Sequence, residues 1–266
     1  MTILLTIFFT LVGLAIGSFL NVCIDRLPAR KSLVKPPSHC DACQHPLSPA
    51  DNIPLVSYLW LRGRCRYCGA HIPLRVLLVE AITGLLFFAA FCRFDLTPQF
   101  GITAFWSCVF LAIIFIDLEH QLILNKVTYP AAVVALAILA ADSIFPGADI
   151  MGNLRLVPQP SILSGLIGGA IGFIFFLIVF LINPRGLGMG DIKLVTLIGL
   201  ASGFPLALAA LFIGIIIGGI AAIILLILKK KGRKDIMPYG VFLGIGPIIA
   251  LLWGNGIIDW YLKSFG

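Results

Sequence analysis

Charge is what this chain has least of. Asp, Glu, Lys and Arg make up 12% of its 266 residues, while 60% are hydrophobic. An ordinary soluble domain carries about twice that share of charge, so a surface lying wholly in water is excluded. The shortage is concentrated. No charged residue occurs in 3–24, 96–116, 156–184, 194–228 or 236–258, and a helix needs roughly 20 apolar residues to cross a bilayer. Residues 76–92 and 127–141 are shorter runs that reach spanning length through Arg93 and Asp142. No Lys or Arg precedes the first run and no small-residue cleavage site stands out, so it is expected to be a membrane helix and not a signal peptide. The chain also lacks a Gly-x-Gly-x-x-Gly run of the dinucleotide-binding kind. It shows no internal repeat of the sort on which many transporters are built.

These runs predict an all-α polytopic membrane protein. The 35-residue run 194–228 is too long for one pass, and Pro205 in "ASGFP" divides it, because proline cannot continue helical hydrogen bonding. About eight transmembrane helices are expected, near 3–24, 74–94, 98–117, 127–146, 160–182, 188–202, 205–228 and 239–261. Three regions follow: a first helix within 1–24, a polar module at 25–75 between helices 1 and 2, and a membrane core at 76–266. If the N-terminus lies outside, 16 of the 19 Lys and Arg residues fall in inner loops, and only Arg93, Arg155 and Lys263 fall outside. That is the positive-inside asymmetry of membrane insertion. It accounts for the net charge of +7 without a nucleic-acid partner and puts both termini outside. The run "KKKGRK" (229–234) fits the same asymmetry, with an acidic-lipid site as the alternative.

The module at 25–75 is rich in Pro, Arg and Cys. It holds "CDAC" (Cys40, Cys43) and "CRYCG" (Cys65, Cys68), a C-x2-C-x21-C-x2-C array. Each pair can present two thiolates from one tight turn, and four thiolates form a tetrahedral Zn²⁺ site. Two disulfides are the alternative, disfavoured by the reducing compartment assigned to this loop. His39, His45 or His71 in place of one cysteine is another. The region has few large aliphatics, so a structural metal would supply folding energy that its core cannot. Cys23, Cys92 and Cys108 lack partner spacing and read as small buried hydrophobes.

Two carboxylates stand where apolar segments meet the same face. Asp117, in "IFIDLEH" (114–120), ends a segment running inward, and Asp191, in "GLGMGDIKL" (186–194), begins one running outward. Although 74 residues apart, they are expected at one depth. Ionisable groups there are costly and usually functional. Two carboxylates brought together share a proton, so that one activates water while the other polarises a carbonyl. Gly186, Gly188 and Gly190 would let a substrate backbone approach. In the alternative, both are ordinary interfacial charges, with Asp191 paired to Lys193 or capping its own helix and Asp117 solvated beside Glu119. Glu80, near the start of the second segment, would orient a substrate amine or pair with Arg75.

At these residues the chain resembles the type 4 prepilin peptidase family, membrane aspartic proteases with a Gly-x-Gly-Asp motif. Six stretches carry the resemblance in order: "GSFLNVCIDRLP" (17–28), the module from "CDAC" to "CRYCG", "LVEAITG" (78–84), "IDLEHQLI", "GMGDIK" and "MPYGVFLGIGP" (237–247). The resemblance implies catalytic roles for Asp117 and Asp191 and zinc ligation by Cys40, Cys43, Cys65 and Cys68. It further implies a bacterial inner-membrane enzyme that removes a basic leader from prepilins or pseudopilins on the cytoplasmic side. Many such enzymes then methylate the new N-terminus with S-adenosylmethionine. The chain departs from the family where Leu124-Asn125 replaces the usual Pro-Asp, where "CDAC" lacks a common proline, and where "RVLLVE" replaces an Arg-Tyr-Pro pattern. A membrane methyltransferase without peptidase activity, or an ion-coupled transporter using the two aspartates as ligands, are the rival readings. Nothing in the sequence selects an oligomeric state.

Overall fold

The computed structural model describes residues 2–145, 151, 161–184, 186–228 and 238–265. Arg155, Arg185, the basic run 229–234 and Asp235 lie outside them. The described residues are mainly helical and form no strand, only isolated bridges pairing His39 with Pro46 and Arg64 with His71. The helices are α1 (Thr2–Arg26), a short α2 (Val56–Trp60), α3 (Leu74–Phe94), α4 (Pro98–His120), α5 (Asn125–Ile144), α6 (Ser161–Ile182), α7 (Met189–Ser202), α8 (Leu206–Ile227) and α9 (Tyr239–Phe265). The predicted polytopic all-α class is observed. Every expected pass corresponds to a helix, and seven of them are long and apolar enough to cross a membrane.

The sixth expected pass is the exception. Helix α7 has 14 residues, about 21 Å at 1.5 Å per residue, less than the roughly 30 Å of hydrocarbon. Nine of those residues are buried, and α7 packs against α5, α6, α8 and α9. A helix sheathed by other helices need not match the thickness of lipid. It ends at Gly203, whose φ of 67° suits a residue without Cβ. Pro205 follows and α8 begins one residue later.

Two compact units divide the chain, Met1–Leu96 and Thr97–Gly266. In the first, α1 and α3 run antiparallel with their backbones almost touching. A Cβ at Gly17 would stand 2.8 Å from Glu80 Cα, and one at Gly13 2.7 Å from Phe87 Cβ. The 25–75 region joins their ends.

In the second unit α4 to α9 form a bundle. Gly168 of α6 faces Gly199 and Gly203, and Gly172 faces Val195, so α6 and α7 are antiparallel. Gly214 faces Phe242 and Leu243 while Gly254 faces Leu206, so α8 and α9 are antiparallel too. Gly244 lies on Ile114 and Gly240 on Asp117, reversing α9 against α4. The end of α4 and the starts of α7 and α9 therefore share one end of the bundle.

Candidate active site

Asp117 occupies the last turn of α4, and Gln121, at φ 53°, closes that helix by donating its N–H to the Asp117 carbonyl at 2.9 Å. The Asp117 side chain is 5% exposed. Its Oδ2 accepts the Val241 N–H at 3.1 Å, and the Gly240 N–H is directed at the same carboxylate. Both donors belong to the first turn of α9, whose unpaired N–H groups and dipole favour an anion. Gly240 is required for this approach, since a Cβ there would lie 2.8 Å from Oδ2 and 3.0 Å from Cγ.

Asp191 is the third residue of α7 and half-buried. It accepts the Gly188 N–H at 2.9 Å, capping its own helix as one reading of the sequence held. Ile123, just beyond α4, draws the two helix starts together. A Cβ at Gly190 would stand 3.0 Å from Ile123 Cβ, and one at Gly240 3.3 Å from Ile123 Cδ1. Ile123 thus brings the helix starts that carry Asp191 and that hold Asp117 to one place. Each carboxylate rests on the start of a helix at the same end of the bundle, an arrangement suited to two acids that share one proton.

The other sequence candidates divide. Lys193 turns from Asp191 toward α5. Its Nζ donates to Asn125 Oδ1 at 3.0 Å and sits 5.4 Å from the centre of the Tyr129 ring. Glu80 belongs to the first unit. It is 5% exposed and accepts the Leu55 N–H at 2.8 Å and a bond from the Ser18 side chain. Arg75 reaches Asp25 at 2.6 Å. Glu80 thus holds a loop in place, a role that neither reading of the sequence supplied.

The four cysteines of the first unit come together, with all four sulfurs within 4.8 Å of one another and Cys40 Sγ 3.8 Å from Cys68 Sγ. Two similar turns build the cluster. Gln44 N–H donates to the Cys40 carbonyl at 2.8 Å, and Gly69 N–H to the Cys65 carbonyl at 3.0 Å, with φ of 57° at Gln44 and 72° at Gly69. Backbone N–H groups of Cys68 and Tyr67 directed at Cys65 bring its thiol down to about 7. Four sulfurs this close repel one another as thiolates, so the cluster fits a divalent cation. The three histidines stand outside it: His39 Nδ1 lies 3.0 Å from the Pro37 carbonyl and His45 stacks on Tyr67 at 3.7 Å. Asp51 ties the turns together, accepting the Ser48 hydroxyl at 2.8 Å and Arg66 Nε at 2.7 Å. The Ser48 hydroxyl, aided by Arg66, holds the Asp51 carboxyl below its usual range.

Sequence reasoning missed Gly240, Val241 and Ile123. The signal was present: a proline followed two residues later by a glycine at a helix start marks a place where backbone meets something closely.

The chain is similar to known proteins along nearly all its length. Residues 11–94 match the model for the bacterial peptidase A24 N-terminal domain, and residues 103–223, which hold both aspartates, match the type IV leader peptidase family. A prepilin leader peptidase/N-methyltransferase from Aeromonas salmonicida (strain A449) is 33% identical over 97% of this chain and 95% of its own length. One from Bacillus subtilis (strain 168) is 32% identical over 94% and 95%, and one from Myxococcus xanthus (strain DK1622) is 34% identical over 94% and 72%. No solved structure matches significantly. With both halves matched in order and relatives aligned over nearly its full length, the chain belongs to the type IV leader peptidase family.

Proposed function

We propose that this chain is a membrane aspartic endopeptidase that removes the basic leader from prepilins or pseudopilins, with Asp117 and Asp191 as the catalytic pair. The observation that carries the reading is the convergence of these two carboxylates at one end of the bundle, each resting on a helix start. One carboxylate accepts a proton from water as its oxygen attacks the scissile carbonyl carbon. The other, protonated, donates to the carbonyl oxygen as charge develops there. Collapse of the tetrahedral intermediate breaks the C–N bond: the first acid returns its proton to the leaving amine, and the second recovers one from a hydroxyl of the intermediate. Gly188 and Gly190 keep side chains away from the approach to Asp191, and Gly240 does the same beside Asp117.

The charge asymmetry supports a cytoplasmic position for the pair and for the cysteine cluster, in a bacterial inner membrane with both termini periplasmic. The basic leader would then stay in the cytoplasm while the apolar pilin helix enters among the membrane segments. The names of the relatives support N-methylation of the new N-terminus as a second activity, with S-adenosylmethionine as methyl donor. Cys40, Cys43, Cys65 and Cys68 would hold one structural Zn²⁺, since four thiolates leave no open position for substrate.

Mass spectrometry of a prepilin incubated with the purified protein tests the reading, because it registers leader loss and an added methyl group together. Methylation that persisted in D117N and D191N alongside undiminished cleavage would refute the assignment. Metal analysis tests the cluster. One zinc per chain is expected, and C40S combined with C65S should remove it.

A further inference from the structure

The 25–75 region holds a feature that neither proteolysis nor the cysteine cluster uses. Ile53, Val56, Leu59 and Trp60 are 47%, 57%, 65% and 81% exposed. Their spacing places them along one face of the short α2 and the turn before it. In water such a patch would be a liability. Exposed Arg62 and Arg64 follow it directly.

The depth of α2 is set by two hydrogen bonds. The Arg75–Asp25 ion pair, 2.6 Å long, links the last turn of α1 to the first turn of α3 and marks the water edge of these two spans. Glu80 lies five residues further along α3, about 7 Å deeper at 1.5 Å per residue. There, at 5% exposure, it accepts the N–H of Leu55, the residue that opens α2. Leu55 has φ 59°, so this is irregular backbone at membrane depth, tolerated only where protein satisfies it. The second bond runs back toward water, from the Tyr58 hydroxyl to the Ile72 carbonyl at 3.3 Å. Gly63, three residues past Trp60, accepts the Ile72 N–H at 2.8 Å, so helix α2 starts below the Arg75 level and climbs back to it.

We propose that α2 lies in the boundary of the bilayer that α1 and α3 cross, with Ile53, Val56 and Leu59 among acyl chains, Trp60 at the headgroup boundary and Arg62 and Arg64 at the lipid phosphates. The arginines complement phosphate charge, and the apolar residues of α2 are as exposed as Leu78 and Leu85 on the spanning helix α3, at 43% and 63%. Trp at such a boundary points its indole N–H to the headgroups and keeps the apolar part of the ring against hydrocarbon. Glu80 acts as the positioning residue that fixes the depth.

Photo-crosslinking tests this in the full chain. Benzoylphenylalanine would replace Leu59 or Trp60 in separate variants, in vesicles of phosphatidylethanolamine and phosphatidylglycerol. Phe88, exposed on α3, serves as the lipid-facing reference, and Gln44, exposed in a cysteine turn, as the aqueous one. The expected result is a phospholipid adduct at 59, 60 and 88 and none at 44. Adducts at 59 and 60 to another segment of the chain or to a second copy would overturn the proposal. So would an absence of lipid adduct at both positions while 88 gives one.

Discussion

The two ends of the α4–α9 bundle each bury an aspartate, and they treat it differently. At one end Asp117, 5% exposed, is held by backbone N–H groups at the start of α9, beside the start of α7 that carries Asp191. At the other end Asp142 of α5 is 0% exposed. It lies about 25 Å along α5 from Asn125 by helical rise. Its oxygens accept the Met151 N–H at 2.9 Å and the hydroxyl of Ser161 at the start of α6. Burial alone therefore does not mark a site. Asp142 is enclosed by donors from its own chain, which makes it a clamp between α5 and α6. Asp117 and Asp191 also accept backbone N–H groups, but they stand beside glycines and share their end of the bundle with a second acid.

The largest effect should separate the two ends outright. D117N and D191N keep side-chain volume but remove acid–base capacity, and each should lower the prepilin cleavage rate by about 10²–10⁴-fold with an unchanged melting profile. Cleavage at the wild-type rate in either variant would move chemistry away from this end.

Next comes Gly240→Ala, whose Cβ would collide with the Asp117 carboxylate at 2.8 Å. Displacing that group by an ångström should cost about a hundredfold in kcat, a loss that a simple packing defect elsewhere on α9 would not reproduce.

Asp142→Asn reverses the pattern. The Ser161 hydroxyl loses a charged acceptor, and stability should fall by about 1–3 kcal/mol, measured as an earlier thermal transition in detergent. Cleavage per folded molecule should remain unchanged.

The smallest effect belongs to Asn125→Asp, which sets a carboxylate opposite Lys193 at the active end, where Asn125 Oδ1 now lies 3.0 Å from Nζ. The new ion pair should change stability by no more than about 1 kcal/mol, visible only as a slight shift in the same transition.

Much of this was legible in sequence, because it is written in contiguous stretches. Spanning runs are a matter of local hydropathy, and the break at Gly203–Pro205 follows from the backbone limits of those two residues. The clustering of four cysteines follows from two short turns of matching spacing. Other features depended on partners far along the chain. Lys193 finds Asn125, 68 residues away, in place of the neighbouring Asp191. Glu80 takes the Leu55 N–H, 25 residues earlier. Asp142, expected at the end of a span, proved wholly enclosed.

By itself, then, the sequence determined the membrane class, the helices, the cysteine array and a common depth for two aspartates. All of these rest on composition and on periodicities shorter than a helix. Only the tertiary structure decided that the start of α9 would supply N–H groups to Asp117, 124 residues away in the chain. It also decided that a 14-residue α7 could serve because other helices surround it, and that one buried acid would be clamped between α5 and α6 while another met the start of α9. Those outcomes follow from backbone-to-backbone contact at glycines such as Gly168, Gly199 and Gly240. There the absence of a side chain matters only once the opposing helix is in place.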